Sequence, residues 1–150
     1  MYKKSIIHYM TKICVDILFY VGIVCCLLVP FSKEMIAKYF GFIGAATAPI
    51  IIVLFLSGVL SVYILWQLKI MFRTLLNGNP FIAANVTCFR KIAAASILIA
   101  LIYLVKCLFS FTLSTVVIIV IFIIAGLFSL TLKDLFKQAI YYKDENDLTV

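Results

Sequence analysis

The sequence predicts an all-α integral membrane protein, a four-helix bundle built from two transmembrane helical hairpins. Of its 150 residues, 66% are hydrophobic and only 13% are charged, whereas about half of a soluble domain is apolar and about a quarter is charged. The apolar residues also form long blocks rather than recurring at the period of an amphipathic helix, and about 20 such residues cross a bilayer core. Lipid is therefore the expected solvent for most of the chain.

Four blocks have the length of a membrane span, at about residues 13–29, 45–66, 92–109 and 115–132. The last two come from one nearly uncharged stretch, which is about twice the length of a single span and must fold back on itself. We expect its turn in segment 110–115, where hydroxyl side chains can bond to backbone groups at the two helix ends. A hairpin connection at about 67–91 and a tail at 133–150 complete a single domain.

Lys and Arg are concentrated on one side of this arrangement. Ten of the 13 lie at the N-terminus, in the connection 67–91 or in the tail: Lys3, Lys4, Lys12, Lys69, Arg73, Arg90, Lys91, Lys133, Lys137 and Lys143. The opposite side has Lys33 and Lys38, partly offset by Glu34. Because positive charge collects on the cytoplasmic side of a membrane, the pattern predicts a cell-membrane protein with both termini in the cytoplasm. No small-x-small cleavage site follows the first block, so we expect it to be retained.

An enzyme is not indicated by the residues that usually carry catalysis. The single histidine is His8, no Ser or Cys nucleophile has a recognisable base beside it, and no glycine-rich phosphate loop occurs. The five cysteines have no metal-ligand spacing and are interpreted as small apolar side chains, although a bond from Cys107 to Cys25 or Cys26 stays open. We therefore expect no enzymatic activity, metal or cofactor.

Nucleic-acid binding is not needed to explain the net charge of +7. The positive-inside distribution accounts for it, and anionic lipid headgroups are the nearer partner. We expect no direct contact with DNA or RNA.

Two ionisable residues lie inside spans, where a charge is costly and a function must be considered. Asp16 is one turn inside the predicted cytoplasmic end, so we expect it to pair with Lys12 or to reach the interface. Lys106 lies toward the outer surface, where it can extend to the headgroups or meet Glu34. Neither lies near the midplane, so the sequence does not indicate an ion relay.

The connection 67–91 has the pattern of a tight helical hairpin. The second helix is predicted to continue to Leu76, and Asn77-Gly78 supplies a stop that tolerates positive φ. Asn79 can cap the next helix, and Pro80 suits its first turn. After the fourth span, apolar residues recur at helical spacing, which predicts a helix that leaves the membrane and lies along the headgroups or against the hairpin. The chain then ends in an acidic segment beginning at residue 144. This tail can be attracted to the basic hairpin or can be a frayed, solvated end.

The segment Asn79-Pro80-Phe81, with Asn85 and Arg90 just ahead of a span and Glu145-Asn-Asp-Leu-Thr-Val150 at the end, resembles the bacterial membrane family of domain of unknown function 2975, DUF2975. The resemblance covers essentially the whole chain, including its four spans, although residues 82–84 are less polar than the family pattern. Members are commonly encoded beside a small helix-turn-helix regulator of the Cro/C1 type. The resemblance therefore implies a membrane partner for a transcription factor and fixes no activity.

Three functions remain open at this stage: a membrane-bound regulatory partner, a small transporter or export accessory subunit, and a bacteriocin-immunity-type protein. We expect the first, with a cytoplasmic interface formed by Asn79, Pro80, Phe81, Asn85, Arg90, Glu145 and Asp147. Glu145 or Asp147 is expected to dock on Arg90 or Lys91. Close helix packing should use small residues, namely Gly44, Ala45, Ala46, Gly58, Ala93, Ala94, Ala95 and Gly126. Self-association is a further open possibility.

Overall fold

The computed structural model describes residues 6–32, 34, 35, 38, 47–78 and 80–148, and within them it contains four long helices and no strand. The helices are α1 (Ile6–Leu28), α2 (Thr47–Leu76), α3 (Ala83–Phe109) and α4 (Leu113–Leu148), and a short 3₁₀ helix, Val29–Phe31, follows α1. Each long helix has a stretch that is long and apolar enough to cross a membrane. The predicted all-α, four-span architecture is confirmed.

The helices extend well beyond the predicted spans at the hairpin side. α1 begins at Ile6 rather than near residue 13, and α4 continues past residue 132 to Leu148. Charged residues mark where a helix leaves the apolar layer, yet they do not interrupt its backbone hydrogen bonds. The hydropathy blocks therefore underestimate the helices.

The predicted stop at Asn77-Gly78 is confirmed. Gly78 has a φ of 85°, which a residue with a side chain rarely adopts. The backbone N–H groups of Asn77 and Gly78 donate to the carbonyls of Arg73 and Leu75, both at 3.1 Å. These bonds satisfy carbonyls at the end of α2 and turn the chain toward α3.

The predicted start of α3 at Asn79 and Pro80 is wrong. Asn79 itself lies outside the described residues, but α3 begins at Ala83, with an extended Ile82 at its N-cap position and no side-chain cap. The backbone N–H of Asn85 donates to the Ile82 carbonyl at 3.0 Å. Pro80 thus precedes the helix in a non-helical connection.

The turn between α3 and α4 occurs where it was predicted but is shorter, since only residues 110–112 separate the two helices. The Thr112 carbonyl accepts the backbone N–H groups of Thr115 and Val116 at 2.9 and 3.3 Å. The Thr112 and Thr115 hydroxyls, expected to bond to the backbone, instead accept hydrogen bonds from Lys106 Nζ at 3.0 and 2.6 Å. The predicted meeting of Lys106 with Glu34 is replaced by this contact within the turn.

Successive helices pack against each other in antiparallel pairs: α1 on α2, α2 on α3, and α3 on α4. Within the described ranges, α1 packs closely on α2 alone among the long helices. The two hairpins are therefore joined through α2 and α3, in an array that follows the order of the chain.

Small residues allow the close approaches, as expected in lipid. A Cβ at Gly58 would meet Cys26 Sγ at 3.3 Å, and one at Gly126 would meet Ile97 Cγ1 at 3.0 Å. Ala93 and Ala95 are buried in α3, as predicted. Ala94 is exposed instead, because it points away from both neighbouring helices. Gly44, Ala45 and Ala46 lie outside the described residues.

α3 provides most of the buried core, including Ile92, Ala93 and Ile99. It is enclosed on two sides by α2 and α4, whereas the outer helices leave most of their apolar side chains exposed. Such exposure is suited to a lipid environment.

Asp16 pairs with a different lysine from the one predicted. Its Oδ1 lies 3.2 Å from Lys69 Nζ on α2, whereas Lys12 is on the same helix as Asp16. Oδ1 is shielded from water, and the Lys69 ammonium is the charge that offsets it. Lys69 also lies over the rings of Phe19 and Tyr20, with its Nζ at 5.1 and 4.7 Å from their centroids. The pair fastens α1 to α2.

Candidate functional site at the hairpin end

Three helices meet at one end of the molecule, where α2 ends, α3 begins and α4 continues past them. Six residues from these helices and from the connection form two neighbouring sets of contacts, one polar and one aromatic: Thr74, Pro80 and Asn85, and Phe81, Phe89 and Phe136. We call them the hairpin cluster. It contains three of the residues that the sequence marked as a site, namely Pro80, Phe81 and Asn85.

Asn85 links both sides of the hairpin. Its Nδ2 donates to the Pro80 carbonyl at 2.7 Å, and its Oδ1 lies 3.0 Å from Thr74 Oγ1. Since a carbonyl only accepts hydrogen bonds, the amide nitrogen must face Pro80 and the amide oxygen must face Thr74. The Thr74 hydroxyl shares its one proton between this oxygen and the Met71 carbonyl at 2.8 Å. Asn85 therefore closes the connection between α2 and α3.

Aromatic contacts fasten α4 to this closed hairpin. The Phe136 ring lies between those of Phe81 and Phe89, with centroid distances of 5.4 and 4.9 Å. Tilted and edge-to-face pairs at such distances are attractive beyond the area that they bury. These contacts hold α4 against the start of α3 and the connection before it.

An apolar cavity of about 180 Å³ adjoins the cluster on the α2 side. It is lined by Leu68, Met71, Phe72, Leu75, Pro80, Asn85 and Phe136. The polar group among these residues, the Asn85 amide, already has two partners. This cavity is therefore a packing space between helices with little chemistry to offer a ligand.

The predicted interface residues occupy different positions. Asn85 is 2% exposed, so its side chain is part of the interior rather than a contact for a soluble partner. Phe81 is partly exposed and Arg90 is exposed on α3. Asn79 and the side chain of Asp147 lie outside the described residues.

Glu145 is exposed on α4 and accepts a hydrogen bond from Tyr141 at 2.9 Å, one turn earlier. It is nine residues beyond Phe136 on a continuous helix, which carries it about 14 Å along the axis from the level of Phe89 and Arg90. The helix continues through Leu148, so the alternative of a frayed tail is wrong for the residues up to that position. Docking of Glu145 or Asp147 on Arg90 or Lys91 stays a prediction, and it requires this helix to bend or unwind.

Three members of the cluster were not marked as site residues in the sequence. Phe136 and Phe89 read as apolar positions of helices, and Thr74 as a polar residue near a helix end. No local pattern distinguishes them, because their significance comes from contacts between residues 11 to 55 positions apart.

Groups that could hold a metal or act as nucleophiles are dispersed. No three His, Cys, Asp or Glu side chains are grouped together in the part of the chain that the structure describes. All five cysteines carry free thiols, so the bond from Cys107 to Cys25 or Cys26 is not formed.

The four apolar helices define a multi-pass membrane protein. The family model described as "Protein of unknown function (DUF2975)" matches residues 42–150, and the chain belongs to this family. The match includes α2, α3, α4 and the hairpin cluster, while α1 lies before it. No curated protein matches the chain, and no solved structure matches it.

Proposed function

We propose that the protein is a non-enzymatic regulatory partner in the cell membrane, with its hairpin end and both termini in the cytoplasm, and that α4 binds a soluble helix-turn-helix transcriptional regulator. The observation that carries this proposal is the continuation of α4 as a single helix far past the apolar layer. From Lys133 to Tyr141 the helix rises about 12 Å. The headgroup layer on one side of a bilayer is only roughly 5–8 Å thick, so the last turns of an upright α4 reach water.

The end of α4 has the composition of a binding surface. Tyr141 and Tyr142 are 61% and 62% exposed, and exposed Lys137, Lys143 and Asp144 surround them. Tyrosine supplies large contact area at low cost in conformational entropy and is frequent in protein interfaces. Charges of both signs around it favour a specific protein partner over a uniform lipid surface.

The hairpin cluster supports the same role, because its ring contacts fix the position at which α4 leaves the bundle. A helix that is fastened at Phe136 presents its end in one orientation, which lowers the entropy lost when a partner binds. The choice of a helix-turn-helix regulator as the partner comes from the resemblance to the DUF2975 family and the gene neighbours of its members. The orientation comes from the basic residues, which lie mainly at the hairpin end.

A photo-crosslinking amino acid at Tyr142 tests the proposal in cells that produce the protein from its own gene. The control carries the same amino acid at Phe128, which is 61% exposed on the same helix but lies within the apolar part. We expect a small DNA-binding protein to be captured from position 142 and not from position 128. An Arg90→Glu variant, which alters the basic surface near the cluster, should reduce this capture if α3 belongs to the interface.

The identity of the captured protein decides the outcome. A helix-turn-helix protein captured only from position 142 would support the regulatory role. Capture of transporter subunits from position 142 would favour the transport function over the regulatory role, and capture of a peptide toxin would favour the immunity function. Capture of lipid alone from both positions would show that α4 has no soluble partner.

A further inference from the structure

The far end of the α2–α3 pair, opposite the hairpin cluster, contains a second and larger cavity. α2 and α3 are in contact from Thr74 and Asn85 to Ser57 and Tyr103, whose hydroxyls lie 3.4 Å apart. Beyond Ser57 the two helices leave between them a space of about 550 Å³, within the usual range of ligand pockets. Its walls come from Pro49, Ile50 and Val53 of α2 and from Val105, Lys106 and Phe109 of α3.

Lys106 is a basic residue in the wall of this otherwise apolar space. Its Nζ is held by the Thr112 and Thr115 hydroxyls at 3.0 and 2.6 Å, and Thr115 is 1% exposed. An ammonium group has three N–H donors, so one remains for a further acceptor. A cation at the edge of an apolar cavity is complementary to a molecule with an anionic head and a hydrocarbon chain.

The depth of the cavity in the membrane fits the same class of ligand. Lys91 and Phe109 are 18 residues apart on α3, or about 27 Å, which is close to the thickness of a hydrocarbon core. With the basic start of α3 at one headgroup layer, the turn that holds the Lys106 ammonium lies at the other. The apolar walls then extend from the headgroup boundary toward the membrane interior, and the cavity is only partly enclosed.

We propose that the α2–α3 cavity binds one anionic phospholipid of the bilayer, with its phosphate on Lys106 and an acyl chain between the two helices. The phospholipid enters laterally, without leaving the membrane. This proposal is independent of the regulatory role of α4, since the two sites lie at opposite ends of the helices.

Native mass spectrometry of the purified full chain, released from micelles that contain equal amounts of phosphatidylglycerol and phosphatidylcholine, tests the proposal. We expect wild-type protein to retain one phosphatidylglycerol in preference to phosphatidylcholine. Lys106→Gln should lower this preference about tenfold, because a charge-assisted hydrogen bond to phosphate is lost. Lys91→Gln, which removes an exposed positive charge at the other end of α3, should leave the preference unchanged.

A second variant separates binding from the structural role of Lys106 in the turn. Val53→Phe fills the cavity from the α2 side and leaves Lys106, Thr112 and Thr115 unsubstituted, and we expect it to reduce retention of both lipids. Added phosphatidylglycerol should also raise the midpoint of thermal unfolding for the wild type and not for Val53→Phe. Equal retention of both lipids by the wild type, unchanged retention in both variants, or a free fatty acid in place of the phospholipid would each overturn the proposal.

Discussion

At the scale of single residues, Asn85 combines burial with hydrogen bonds to two parts of the hairpin. It is 2% exposed, yet both ends of its amide have partners, one in the connection and one on α2. Removing one partner of a buried polar group leaves the other without a hydrogen bond, and that costs more than the bond itself contributes. This single side chain is therefore expected to determine how firmly the hairpin is closed.

We predict that Asn85→Ala lowers the free energy of unfolding by about 2 kcal/mol, since it leaves the Pro80 carbonyl without its donor. Thr74→Val should cost less, because the Asn85–Pro80 bond remains and the Thr74 proton is already shared. Unfolding in mixed detergent micelles, followed by circular dichroism, measures both. Equal effects of the two substitutions would mean that Pro80 is not the important partner.

Gly126 is the second residue whose identity the packing determines. A Cβ there would lie 3.0 Å from Ile97 Cγ1 and 3.4 Å from the Ala93 carbonyl oxygen. We predict that Gly126→Leu lowers the free energy of unfolding by about 1–3 kcal/mol through overpacking of α3 against α4. The control is Ala94→Leu, a similar enlargement at an exposed position of α3, and it should leave stability nearly unchanged. A Gly126→Leu protein as stable as the wild type would contradict the close contact.

The sequence indicated which residues matter more reliably than it indicated what those residues contact. The motif around Pro80, Phe81 and Asn85 stands out in the sequence, and the structure does bring these three together. The prediction that Asn85 lies on an exposed surface was wrong. Nothing in the neighbouring sequence shows that Thr74 and the Pro80 carbonyl surround its side chain. Asp16 shows the same limit, since its partner Lys69 is on another helix. A polar residue in an apolar sequence indicates that a partner exists without indicating which one.

At the scale of elements, the helices could be predicted because a bilayer allows few alternatives. Backbone groups in lipid must be bonded within the segment, so an apolar block of sufficient length is a helix. The ends could not be predicted equally well: no sequence signal marks Leu148 as the end of α4, although helical spacing indicated that the helix continues past residue 132. Beyond that residue, α4 is held by the ring contacts of Phe136 rather than by hydropathy.

We predict that Phe136→Ala releases the end of α4 and increases the rate of trypsin cleavage after Lys137 and Lys143 about tenfold. Two ring contacts are lost, each worth about 0.5–1.5 kcal/mol, and cleavage follows the population of the opened helix. Phe128→Ala, on the lipid-exposed side of the same helix, should leave the rate unchanged. No acceleration in Phe136→Ala would show that the cluster does not hold α4.

Arg90→Glu in the same assay distinguishes the aromatic contact from the predicted docking of the acidic tail. If Phe136 alone fastens α4, the charge reversal should have little effect on cleavage. Acceleration equal to that of Phe136→Ala would instead support docking of Glu145 or Asp147 on Arg90.

At the scale of the whole molecule, the antiparallel order of the helices places the start of α1 and the end of α4 on the same side as the hairpin. Asp16 meets Lys69 near the end of α2, and Phe136 meets Phe81 beside the start of α3. The structure shows that these ends lie on the same side of the protein, and the charge distribution predicts that this side faces the cytoplasm. The orientation is therefore open to a direct measurement.

We predict that a membrane-impermeant maleimide applied to intact cells labels a single cysteine placed at Ser32 and not one placed at Asn77. Both variants are made in a background whose five native cysteines are replaced by alanine. Ser32 follows the end of α1, while exposed Asn77 lies in the hairpin, so the two positions are on opposite sides of the membrane. Asn77→Cys should become reactive once the cells are opened, which shows that the thiol is accessible and only the membrane protected it. Labelling at Asn77 alone in intact cells would invert the molecule, and it would move the exposed end of α4 to a side where no transcriptional regulator is present.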